Sequence, residues 1–251
     1  MLAQRALRAV AALHPAPDVV LLTGDLADRG EPGAYTLLTA LLARHRLPPV
    51  FAIPGNHDDR AALRAALPGV AGSVPGSVPC DDGFLHRAIE GFPVRLVLLD
   101  TLVPGAAAGE LCAARLDWLE RTLAIAPDRP TLIAMHHPPV ATGIGHMDRI
   151  ALRAPEAFAT ILARHRQVRL VVCGHVHRLI LAQLAGTPVC IAPSVAHQVS
   201  LDLTEAAASA FTLEPPAYLL HRWTEAGGFV THTALVEAFP GPFPFLSAGE
   251  E

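Results

Sequence analysis

The chain contains no lysine; all 19 of its basic residues are arginine. Any negative charge it handles must therefore be met by arginine, imidazole, backbone N–H groups or bound cations. Charge is scarce in general, at 17% of residues, and the balance is −4. That leaves no positive field for bulk nucleic acid or an anionic membrane surface, so neither is expected as a partner. Long apolar runs are absent too. None approaches the roughly 18 residues that span a bilayer. The opening MLAQRALRAVAALHP lacks a small-residue cleavage site and reads as an amphipathic helix, not an export signal. The four cysteines, Cys80, Cys112, Cys173 and Cys190, form no C-x-x-C pair, which predicts reduced thiols and a cytoplasmic location. What remains is 51% hydrophobic, enough for a well-buried core. The expectation is a single domain over 1–251, with an irregular tail from about 238.

Apolar runs recur at 18–23, 49–53, 94–99, 130–135 and 168–173, separated by helix-like stretches near 31–45, 58–67, 112–125 and 153–165. Continuous apolar strands alternating with helices predict βαβ units and a largely parallel sheet covered on both faces. After 178 the texture changes to short strands broken by turns, RLILAQLA, TPVCIAP, VSLDL, AYLLHRW and FVTHTALV, which predicts antiparallel pairing. Residues 68–83 read as a surface loop.

Each apolar run is followed by residues with chemistry. GDLAD supplies Asp25 and Asp28, and PGNHDD supplies Asn56, His57, Asp58 and Asp59. The third run ends in Asp100, the fourth in His136 and His137, and the fifth in His175 and His177. Each fragment alone has a structural reading: G-D after a strand is usually a turn, and H-H-P-P is a loop stiffened by prolines. Together they deliver carboxylate, amide and imidazole groups to the carboxyl ends of five strands, the edge where open α/β sheets bind ligands. A metal or phosphate site is the better account.

The motifs G-D-x-x-D (Gly24 to Asp28), G-N-H-D (Gly55 to Asp58), H-H-P-P (His136 to Pro139) and G-H-x-H (Gly174 to His177) resemble those of the calcineurin-like metallophosphoesterases. TGIGHMDRIAL and APSVAHQVSLDL resemble the branch containing cyclic-nucleotide and glycerophosphodiester phosphodiesterases. The resemblance implies an α/β fold, a four-layer αββα sandwich with two mixed sheets, around a centre of two divalent ions. Asp25 would bridge them, Asn56, His136 and His175 would complete one, and His177 would bind the other. A mixed nitrogen and oxygen set suits Mn, Fe or Zn. His57 would be catalytic, facing the phosphoryl group, with His146 and His197 as further substrate contacts. Asp28, Asp58 and His137 would support the ligands from behind. Arg60 and Arg178 are candidate phosphate partners, with a solvated surface role as the alternative.

The implied reaction is hydrolysis of a small phosphodiester, such as cAMP or a glycerophosphodiester, by metal-activated water. One family motif, D-x-H on the strand before Asp25, does not occur in this chain. The expectation is that the true start lies upstream of Met1 and supplies that strand. The alternative is a non-catalytic or single-metal variant that binds a phosphorylated ligand. A third reading keeps hydrolysis but makes the substrate a nucleotide pyrophosphate or a nucleic acid. A homodimer built on the strands after 178 is a further possibility.

Overall fold

The computed structural model describes residues 2–67 and 83–245. The loop expected at 68–83, apart from Gly83, lies outside them, as do Cys80 and residues 246–251.

Helix α1 (Leu2–Ala11) leads to β1 (Val20–Leu22), α2 (Pro32–Ala43), β2 (Val50–Ala52) and α3 (Arg60–Ala66). Then come β3 (Arg87–Ile89), β4 (Arg95–Leu99), α4 (Ala113–Ala124), β5 (Thr131–Met135), the single turn α5 (Gly145–Asp148), α6 (Pro155–Arg164) and β6 (Val168–Cys173). The remainder is β-rich: β7 (Ile180–Leu184), β8 (Thr187–Ile191), β9 (Gln198–Val199), β10 (Phe211–Thr212), β11 (Ala217–Thr224) and β12 (Gly228–Leu235). All five predicted apolar strands and all four predicted helices form.

The main sheet has the order β3-β4-β5-β6-β8-β7. Its middle strands β4, β5, β6 and β8 run parallel, and the edge strands β3 and β7 are antiparallel to their neighbours. Because side chains alternate along a strand, each central strand feeds two cores. Val97, Leu99, Ile133, Met135, Val171 and Cys173 face the α4 and α6 side, against Trp118, Leu119, Phe158 and Leu162. Leu96, Leu98, Leu132, Ala134, Leu170 and Val172 face the other way, onto Leu21 and Phe51 of β1/β2 and Leu219 and Trp223 of β11/β12. Beyond β1/β2, a third core joins Ala52 and Leu22 to Tyr35 of α2 and Leu63 of α3. The layers are therefore helix, sheet, sheet, helix, as the resemblance implies.

The second sheet layer departs from expectation in its construction. It consists of a parallel pair, β1-β2, and a separate antiparallel hairpin, β11-β12, with no ladder between them among the described residues. Their shared apolar face on the main sheet, not backbone pairing, holds them side by side. The predicted strand VSLDL also shrinks to Gln198–Val199, with Leu201 and Leu203 exposed. The segment 201–203 points its leucines at solvent and has no ladder partner.

Candidate metal centre

The site lies where the carboxyl ends of β1, β2, β5 and β6 meet. Sharp turns there bring four loops into contact. Gly24 sits at φ +101°, a conformation that favours glycine, and a Cβ on it would lie 2.4 Å from His136 Nδ1. A Cβ on Gly55 would fall 2.2 Å from Asp25 Oδ1. Both glycines are thus demanded by the approach of the ligand-bearing loops. Among the described residues, five non-glycine residues have positive φ, and three of them are Asp25, His175 and His177. Such strain in side-chain-bearing residues concentrates at functional sites.

His136 donates Nδ1–H to the Thr23 carbonyl at 2.7 Å, which leaves Nε2 free to face the cluster. That Nε2 lies 3.1 Å from Asn56 Oδ1, 3.2 Å from His175 Nδ1 and 3.2 Å from Asp25 Oδ2. His175 Nδ1 is 3.0 Å from Asn56 Oδ1. Four lone-pair atoms from four loops thus converge with few protons to share among them. Ligands bound at about 2.0–2.1 Å to one divalent ion stand roughly 3.0–3.4 Å apart, so the spacing fits the edges of a coordination shell. Buried His177 Nδ1 has no hydrogen-bond partner among the described residues.

At Asp25, His175 and His177 the electrostatics favour the forms that bind cations; burial lowers His136, but the Asp25 carboxylate beside it outweighs burial and raises it, so an ion there must displace its proton. Burial raises the Asp25 carboxyl, but His136 and the His57 N–H outweigh it and hold it well below the usual carboxylate range. Burial, aided by the neighbouring His136, lowers His175 to about 3, so it is a neutral donor at ordinary pH. His177 is lowered as well, by burial and then by His197.

His136, His137 and His175 bring ligand atoms within 4.8 Å of one another. His137 is nonetheless engaged elsewhere: its Nδ1 pairs with Thr101 Oγ1 at 2.7 Å and its Nε2 with the Ala107 carbonyl at 3.1 Å. Burial lowers it to about 2, so it is neutral, and it supports the cluster by packing at 4.8 and 4.7 Å from the His136 and His175 rings.

Asp58 ties the two acidic loops together. Its buried carboxylate accepts from the N–H groups of Leu26, Ala27 and Gly55 and from the Tyr35 hydroxyl, at 2.8–3.1 Å. Asp28 behaves differently from the sequence expectation. Its carboxylate is exposed beside Arg29, and it is its backbone carbonyl that accepts from His57 Nδ1 at 2.8 Å. The reason is the turn itself, which faces the peptide inward and the side chain out.

His57 is exposed and donates its own N–H to Asp25 Oδ1 at 3.0 Å. It stands in a cleft of about 400 Å³ lined by Asn56, Arg60, Leu102, Pro104 and Gly105 among others. Both candidate arginines already have acidic partners. Arg60 grips buried Asp100 through two hydrogen bonds and also donates to the Leu102 carbonyl. Arg178 pairs with Glu214 and Val199. His197 packs on His177 at 4.8 Å. His146 lies on α5, outside the cleft lining. Its neighbours Met147 and Asp148 are structural: Met147 is buried, and Asp148 accepts from Thr142 and Gly143. Sequence reasoning missed Tyr35, Thr23 and Thr101, whose contributions come through a hydroxyl or a carbonyl that no local motif marks.

The calcineurin-like phosphoesterase profile matches residues 3–179, which include every motif at the centre. The chain belongs to the calcineurin-like phosphoesterase family. It is 38% identical over 94% of its length to a probable glycerophosphodiester phosphodiesterase of Arcobacter nitrofigilis, covering 84% of that protein. It is 40% identical over 87% of its length to a probable cyclic nucleotide phosphodiesterase of Rhodopseudomonas palustris, covering 78%. Among solved structures, a dimetal phosphatase from Danio rerio superposes with a TM-score of 0.61 at 17% identity, over 94% of this chain and 88% of that one. That likeness is one of fold.

Proposed function

We propose that the chain is a metal-dependent phosphodiesterase acting on small phosphodiesters, of the 3′,5′-cyclic-nucleotide or glycerophosphodiester kind. The observation that carries this is the convergence of Asp25, Asn56, His136 and His175 at coordination-shell spacing. The names of its 38% and 40% identical relatives support the diester.

Asp25, Asn56, His136 and His175 would hold one ion, and His177 with Asp25 a second. The donor set suits Mn, Fe or Zn. When bound, divalent ions supply Lewis-acid polarisation of phosphoryl oxygens and a lowered pKa for attacking water. The protein does the rest. Asp28 anchors the His57 ring through Nδ1, so Nε2 faces the cleft. A proton there offsets phosphoryl charge and passes to the leaving oxygen. Asp58 fixes the backbone that carries Asp25 and Asn56. The free, buried Cys173 and Cys190 support a reducing, cytoplasmic setting, and we read 1–251 as one domain.

Assay of the full chain with Mn²⁺ against bis-p-nitrophenyl phosphate, cAMP and glycerophosphoethanolamine tests this reading. Hydrolysis is expected, and His57→Ala should lower kcat about 100- to 10,000-fold without unfolding the protein. Metal-loaded wild type that cleaves none of the three sinks the enzymatic reading.

A further inference from the structure

Beside His177 the chain builds a small apolar flap. β9 and β10 pair antiparallel, with Phe211 opposite Val199 and Thr212 opposite Gln198. Arg178, the residue after G-H-V-H, fastens this flap to the metal loop. It donates to the Val199 carbonyl at 2.7 Å and forms two hydrogen bonds to Glu214 at 2.9 and 3.0 Å. Thr212 Oγ1 adds a third at 2.9 Å. The flap is thus placed by the same turn that places His175 and His177.

A path of aromatic rings leads out from the centre. His177 meets His197 edge-on at 4.8 Å, and His197 meets Phe211 at 4.9 Å. Phe211 is held in register by its ladder, yet 65% of its surface is exposed. Leu213 on the same flap is 83% exposed. The charged pair that ties the flap down, Arg178 and Glu214, is mutually neutralised. A rigidly placed phenyl ring with an open face, one imidazole away from a proposed metal ligand, suits a planar group attached to a phosphate. A nucleobase has such a π-face; glycerol has none, and its hydroxyls gain nothing from apolar walls.

We propose that Phe211 is a specificity-determining residue, stacking the base of a nucleoside phosphodiester whose phosphate sits at the Asp25–His177 centre. The preferred diester is then a 3′,5′-cyclic nucleotide over one bearing glycerol. This rests on the phosphodiesterase reading and deepens it by naming the substrate class.

The test compares cAMP with glycerophosphoethanolamine on full-length wild type, Phe211→Ala and Phe211→Tyr. Loss of a base–aromatic stack predicts about a tenfold fall in kcat/KM for cAMP in Phe211→Ala, carried by KM. Turnover of glycerophosphoethanolamine should stay within about twofold, and Phe211→Tyr should retain cAMP activity. Equal loss on both substrates, no loss on either, or a change of oligomeric state with an unchanged substrate ratio overturns the proposal. Calorimetric titration of cAMP into the same proteins distinguishes the two layers of inference. If wild type hydrolyses nothing but binds cAMP in a Phe211-dependent way, the hydrolase reading fails and this one stands. Absent or Phe211-independent binding overturns it.

Discussion

Asp58 borders the cleft, yet its buried carboxylate is spent on three backbone N–H groups and the Tyr35 hydroxyl. Removing a buried carboxylate leaves those donors without partners, and unsatisfied buried groups are what make such deletions costly. Asp58→Ala should destabilise the fold by about 3–5 kcal/mol, read as a lower urea midpoint. It should also weaken metal binding, because Gly55 and Leu26 flank Asn56 and Asp25. A stability change under about 1 kcal/mol would contradict this role. Asp58 was visible in the sequence as the last residue of G-N-H-D. Its partner Tyr35 was not, since a tyrosine in the first turn of a helix shows no sign of what its hydroxyl meets 23 residues later.

At the scale of elements, the hairpin β11/β12 carries a titratable group into the second core layer. His221 bonds Thr231 across the ladder, Nδ1 to Oγ1 at 2.8 Å, and burial lowers it to about 4. A histidine depressed in the fold binds its proton more readily when unfolded. Its neutral form therefore favours the native state above pH 6.5, and that contribution is lost as pH falls from about 6.5 towards 4. The loss is on the order of 2–3 kcal/mol. His221→Phe should flatten this part of the stability profile, measured by urea unfolding from pH 7 to 4. The difference between variant and wild type is the quantity to read; identical slopes would refute the assignment. The continuous apolar runs announced β1, β2, β4, β5 and β6 because strands covered on both faces need no alternation. β3 escaped notice: Arg-Ala-Ile has no apolar run, and only pairing with β4 makes it a strand.

For the whole molecule, the centre exists only when four loops from both sheet layers are docked. An ion that binds the native state alone stabilises it by about 2.7 kcal/mol at a hundredfold excess over Kd. For a protein of this size that corresponds to a Tm rise of roughly 5–10 °C. Mn²⁺ or Zn²⁺ should produce that shift and EDTA should reverse it. Asn56→Ala and His175→Ala should abolish it while His57→Ala leaves it intact. A shift that survives loss of Asn56 and His175 would move the ion elsewhere.

Sequence by itself determined the donor types, their order, and the rule that each follows a strand, because apolar runs and polar strand ends are local features of the chain. Tertiary structure decided which imidazoles turn towards Asp25 and Asn56. His136 and His137 are neighbours in the chain, and successive side chains diverge. Thr23 on another loop then aims one ring at Asp25 and Asn56, while Thr101 and Ala107 claim the other. Those partners are 30 to 113 residues away, and only folding brings them within hydrogen-bonding reach.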